Sequence, residues 1–178
     1  DGVRIVQGMV VSLGLAPAAE KPQFPWDRYY DQDEVAETLT TLADAYPELT
    51  ELQSLGKSAE GRDIWCLTIN NEKTGDDLTK PGMYVDGAIH GNEIQGTEVA
   101  LYAIYYLLKN YGKTELATRL LDERAFYLIP TMNPDGLATG HRWNANDVDL
   151  NRNADTDLDG CGGNDWAHDT VGREGVHA

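Results

Sequence analysis

The segment His90-Gly91-Asn92-Glu93 places an imidazole and a carboxylate three positions apart. Zinc takes histidine nitrogen and carboxylate oxygen, and a catalytic zinc site uses three protein ligands plus a water. Where a strand gives way to a helix, residues at this spacing can converge on one ion, and Gly91 between them permits a tight backbone. The pair also suits a purely structural job: a histidine closing a strand, and a glutamate opening a helix where negative charge favours the dipole. Taken alone, the spacing does not choose between these.

Two further groups lie downstream. Asn133-Pro134-Asp135-Gly136 has the residue types of a β-turn, and by itself reads as one. Asp149-Leu150-Asn151-Arg152-Asn153 follows Arg142, which stands nine positions before Asn151. The planar fork of Arg152 suits a carboxylate bidentately, and Asn151 adds an amide donor. The bland alternative is a surface loop in which these arginines pair with some of the many aspartates.

Other chemistry-bearing residues are less organised. Asp155, Asp157 and Asp159, followed by Gly160, resemble the first half of a calcium loop. The twelfth position of that loop would be Trp166, where a bidentate acid is needed, so the expectation is a non-EF-hand calcium site or an acidic solvent loop. His141, next to Arg142, reads as a loop residue; His168 and His177 lie in no clear strand. Cys66 and Cys161 could form a disulfide or remain two thiols.

The elements that must position these groups are legible from periodicity. Apolar residues at Val35, Leu39, Leu42, Ala43 and Tyr46 predict a helix from Asp33 to its stop at Pro47. Residues 50–55 and 63–69 predict two strands joined by a turn at 58–62, a hairpin. Residues 82–89 predict a short buried strand. A long amphipathic helix follows Glu93, with Val99, Ala100, Ala103, Ile104, Leu107 and Leu108 on one side. A second helical piece covers 115–121 and a buried strand 125–130; from Thr131 onward the chain reads as loop. Alternating strands and helices predict an α/β fold with a mixed β-sheet flanked by helices, its site at the carboxyl ends of strands.

Bulk properties narrow the function. The chain has 178 residues, 41% of them hydrophobic and 25% charged, which suits one globular domain. A net charge of −16 disfavours nucleic acid and anionic membranes as partners. No apolar run reaches the ~18 residues of a membrane span. Residues 9–19 are apolar and end in small residues, faintly like the tail of a signal peptide. Oligomeric state is not legible.

In fixed order, the three motifs say more than each does alone. IHGNE (residues 89–93), IPTMNPDG (129–136), Arg142 and DLNRN (149–153) resemble the zinc metallocarboxypeptidase family of the carboxypeptidase A type. The HGNE form and the spacing from Arg142 to Asn151 are most similar to the regulatory branch, which includes carboxypeptidases D, E and N. GKSAEGRDIWCLTI (56–69) resembles that family's early hairpin. The resemblance implies an α/β/α sandwich, here incomplete, with residues 29–178 as the N-terminal part of the catalytic domain and 1–28 as an arm or pro-segment remnant. It implies one zinc ion with His90 and Glu93 as ligands, and Arg142 as the residue that polarises the scissile carbonyl. Asn151 and Arg152 would hold the free carboxylate of a peptide or protein C-terminus. Asn92 stands where the digestive members carry arginine, and 133–136 would be a structural turn in the pocket wall. The third zinc ligand, the general base and the specificity residues are expected beyond Ala178, so the sequence reads as part of a longer domain. The implied setting is secreted, extracellular or periplasmic. Two other readings stand beside it: a zinc amidohydrolase of the same fold acting on cell-wall peptides or N-acyl amino acids, and a non-catalytic binding or structural module.

Overall fold

The computed structural model describes residues 21–153 of the chain. Helix α1 (Gln32–Ala45) starts at a full capping box: the Asp31 side chain accepts from the Glu34 backbone N–H, and the Glu34 side chain accepts from that of Asp31. Its apolar stripe, Val35, Leu39 and Leu42, is buried, and Pro47 follows its end as the sequence requires. Strands β1 (Thr50–Lys57) and β2 (Asp63–Ile69) form the antiparallel hairpin, with Thr50 opposite Ile69 and Gln53 opposite Cys66. Cys66 is buried in β2; Cys161 lies outside the described residues, as do Asp155, Asp157, Asp159, His168 and His177.

Strand β3 (Gly82–Asp86) leads to helix α2 (Ile94–Asn110), helix α3 (Glu115–Glu123) and strand β4 (Ala125–Ile129). β3 and β4 run parallel with Gly82 opposite Ala125, so α2 and α3 are the crossover that returns the chain to the same end of the sheet. β4 pairs antiparallel with β2 on its other side, which gives a mixed sheet in the order β1-β2-β4-β3. The buried faces of α1 and α2 (Leu39, Leu42, Leu101, Ile104, Leu108) meet Leu67, Ile69 and Leu128 of the sheet in one core. Truncating any one of these leucines to alanine would cost roughly 2–5 kcal/mol through lost burial and the cavity left behind. Ahead of α1, Phe24 and Trp26 pack on that core from the α2 side, with Trp26 edge-on to Tyr102.

Two expectations are corrected. The strand at 82–89 is shorter and is not buried: β3 is an edge strand with Met83 and Tyr84 exposed, because it pairs only with β4 among the described residues. The loop expected after Thr131 contains helix α4 (Pro134–Thr139). Asn133 caps that helix by accepting from the Gly136 N–H, and Pro134 occupies its first turn, where a missing N–H costs nothing. Residues that favour a turn are the same residues that start a helix.

Candidate active site

The parallel pairing of β3 and β4 puts both their carboxyl ends at one edge, and the chemistry-bearing loops leave from there. Pairing continues past the strands. Gly87 N–H donates to Ile129 O (2.9 Å), Met132 N–H to Gly87 O (2.9 Å) and Asn133 N–H to Ala88 O (3.1 Å). Gly87 is squeezed there: a Cβ would lie 2.6 Å from both Gly96 O and Pro130 O. The loop then turns through His90 and Glu93 into α2, with Glu93 at the cap position.

His90 is buried and its two ring nitrogens have different neighbours. Nε2 lies 3.0 Å from Asp149 Oδ1, and Nδ1 lies 3.0 Å from Glu93 Oε1. Arg142 closes the group: its Nε donates to Asp149 Oδ2 (2.8 Å) and its Nη1 stands 3.3 Å from His90 Nδ1. Burial pushes the Asp149 carboxyl up, but the hydrogen bonds from Arg142 and His90 outweigh it and hold the group below the usual aspartate range. Asp149 is therefore an anion and can only accept, which fixes the Nε2 proton and aims Nδ1 at Glu93.

Nδ1 and the Glu93 Oε1 stand 3.0 Å apart, and an imidazole nitrogen and a carboxylate oxygen are the donors that zinc takes. Glu93 is free to adjust, its side chain being 58% exposed. A carboxylate behind a ligating imidazole is the usual arrangement for orienting such a ligand. His90 and Glu93 thus fit zinc as two of its ligands. No group of three or more His, Cys, Asp or Glu side chains able to hold a metal occurs among the described residues.

Of the residues singled out in the sequence, His90, Glu93 and Arg142 are brought together. Asn151 and Arg152 join through their backbone in a short 3-10 turn, Leu150–Arg152. Asn151 N–H donates to Asp149 Oδ1 (3.1 Å), Arg152 N–H to Asp149 O (3.0 Å), and Arg152 Nη1 to Asn151 O (2.7 Å). His141 is exposed, as a loop residue should be. Three residues were not given their structural roles by sequence reasoning. Asp149 orients His90 from 59 positions away. Asn133 caps α4. Asp135 is buried and accepts from Ser58 Oγ (2.7 Å), Glu60 N–H (3.1 Å) and Arg62 Nη1 (2.7 Å), clamping the β1–β2 turn to α4. The readable signal was the presence of each in a motif; the partners were too distant in sequence to infer.

A cleft of about 270 Å³ opens beside Glu93, lined by Asp86, Gly87, Ala88, Ile89, Gln95 and Gly96. A larger apolar cleft, about 550 Å³, lies between Trp26–Tyr29 and the Glu98–Tyr102 turn of α2. It carries none of the converging groups, whereas Glu93 lines the smaller one.

Fold and site together define a class: a mixed-sheet α/β protein with a buried histidine–carboxylate cluster at the carboxyl ends of two parallel strands. Residues 35–174 match the zinc carboxypeptidase family, and the chain belongs to that family. It is 35% identical to mouse carboxypeptidase D over 147 residues, covering 77% of this chain and 11% of that protein. It is 33% identical to mouse carboxypeptidase M over 135 residues, covering 71% of this chain and 30% of the relative. The solved carboxypeptidase A of Helicoverpa armigera superposes with a TM-score of 0.66 at 27% identity, covering 76% of this chain and 36% of that one. The chain thus spans less than a third of the length of these two curated relatives.

Proposed function

We propose that this chain supplies the N-terminal part of the catalytic domain of a zinc metallocarboxypeptidase, an enzyme that hydrolyses the last peptide bond of peptides or proteins. The observation that carries the reading is that Glu93 Oε1 and Arg142 Nη1 both lie within 3.3 Å of His90 Nδ1, with Asp149 behind the ring. Residues 29–178 belong to that domain in this reading, and residues 1–28 precede it. The setting is secreted, extracellular or periplasmic, as for an enzyme that trims exposed chain ends.

His90 Nδ1 and the Glu93 carboxylate hold the metal. Zinc at this position supplies a polarised carbonyl and a water whose pKa falls to about 7. Asp149 keeps the His90 proton on Nε2 and so keeps Nδ1 available. Arg142, anchored by Nε to Asp149 and with Nη1 beside His90 Nδ1, turns its guanidinium to charge that develops on the scissile carbonyl oxygen. A positioned donor of this kind is worth roughly 3–4 kcal/mol in the transition state. Asn151 and Arg152 bind the substrate's terminal carboxylate, which sets the bond presented to the metal and makes the action exopeptidic.

The test uses the whole protein and paired peptides identical except at their C-terminus, one a free acid and one an amide. Release of the last residue from the acid only, abolished by a chelator and restored by zinc, is the expected result. Equal cleavage of both members, or cleavage indifferent to chelation, overturns the proposal.

A further inference from the structure

The Asn133 side chain makes more contacts than capping a helix requires. It is 1% exposed. Its Oδ1 accepts from Gly136 N–H (2.9 Å), which completes the cap of α4; serine or aspartate could do the same. Its Nδ2 carries two further hydrogens, one aimed at Ile89 O and one at Arg142 O, each at 3.4 Å. Both bonds are long, yet one atom touches the residue before His90 and the carbonyl of Arg142 itself. The Asn133 backbone N–H reaches Ala88 O, and Gly91 N–H reaches Arg142 O (3.4 Å).

The packing around this amide leaves little freedom. A Cβ at Gly91 would stand 2.0 Å from Gly136 C, so the His90 loop sits directly on the first turn of α4. A Cβ at Gly136 would stand 2.5 Å from Asn133 Nδ2. Ala88, whose carbonyl accepts from Asn133, holds a φ of 46°, a conformation non-glycine residues adopt only when their surroundings enforce it. The His90 loop and the Arg142 segment are therefore both referred to one short helix start, and a single carboxamide spans them.

We infer that Asn133 is a positioning residue that sets the His90 loop and Arg142 in register with each other. The inference rests on the roles proposed above for those two residues. An error of about 1 Å between a metal ligand and a charge-stabilising group costs roughly 100-fold in rate, so a residue that fixes their spacing acts on catalysis without touching substrate.

The experiment compares Asn133→Ser with Leu121→Ala in the whole protein. Serine keeps the cap and loses both Nδ2 bonds; Leu121→Ala opens a cavity in the core under α3 and leaves Asn133 untouched. Zinc titration and hydrolysis of N-blocked dipeptides with free basic, aliphatic and aromatic C-terminal residues are measured below the melting temperature of every variant. Asn133→Ser is expected to lower kcat by roughly 10- to 100-fold with KM little changed, and to weaken zinc binding. Leu121→Ala is expected to lower the melting temperature while kcat and zinc affinity hold. On an Arg142→Ala background the Asn133→Ser loss in kcat should largely vanish, since the two act through one group. Equal kcat and zinc affinity in the two variants, or fully additive losses with Arg142→Ala, overturns the inference. Should Asn133→Ser fail to fold, the isosteric Asn133→Asp, which keeps the cap and opposes both carbonyls, is held to the same outcomes. If the unmodified protein hydrolyses none of the peptides, the proposed activity fails, and the zinc titration still decides whether Asn133 orders the His90 loop.

Discussion

Asp149 holds the His90 imidazole from behind: Oδ1 lies 3.0 Å from Nε2, while its other oxygen accepts from Arg142 Nε at 2.8 Å. One buried carboxylate thus holds an imidazole and a guanidinium at once. Replacing it by asparagine keeps the shape and removes the charge. Asp149→Asn should weaken zinc binding roughly 10- to 100-fold, read by competition with a calibrated chelator. Unchanged affinity would mean that His90 needs no orientation from Asp149.

Arg152 tests recognition of the chain end. Arg152→Ala should raise KM for peptides with a free C-terminal carboxylate far more than for their amides, with kcat less affected, because the proposed contact would be made in ground and transition states alike. Steady-state kinetics on paired acid and amide peptides supply the measurement. An equal loss on both would remove the proposed contact.

The clamp at Asp135 predicts a pH effect on stability. Burial raises this carboxyl, but the bonds from Ser58, Arg62 and Glu60 outweigh it and hold it below the ordinary value of 3.8. A depressed carboxyl contributes stability that is fully present above that ordinary value and is lost as pH falls through the folded one. Asp135→Asn should therefore cost about 2–3 kcal/mol near neutrality, and the gap to the unmodified protein should close as pH falls below about 4. Melting curves from pH 7 to 3 check this; a gap that widens in acid would contradict it.

Gly91 tests the seating of the His90 loop. With Gly136 C only 2.0 Å from where a Cβ would be built, Gly91→Ala must displace backbone. Overpacking of this kind costs about 1–3 kcal/mol or more. A melting temperature equal to that of the unmodified protein would show that the loop stands clear of α4.

The sequence carried these elements unevenly, for physical reasons. DIWCLTI reads as a strand because β-branched and aromatic residues crowd together, and β2 occupies just those residues, 63–69. The stripe from Val35 to Leu42 placed α1 to within a residue at its start. Residues 82–85 form an edge strand among the described residues, since burial of a strand depends on neighbours that its own sequence does not encode. The NPDG segment starts a helix through its Asn133 cap, and Asp135 fastens that start to Ser58 and Arg62, 77 and 73 positions away. His90, Glu93 and Arg142 were legible as chemistry, because their types and order match a known pattern. Asp149 was visible only as one aspartate of a motif, and its bond to His90 spans 59 positions.

The central claim is that His90 and Glu93 hold one metal ion. The whole protein, purified without added metal and dialysed, can be assayed for zinc by elemental analysis beside His90→Ala and Glu93→Ala. About one zinc per chain in the unmodified protein, and well below stoichiometric zinc in both variants, is the predicted result. Stoichiometric zinc retained in both variants would contradict it.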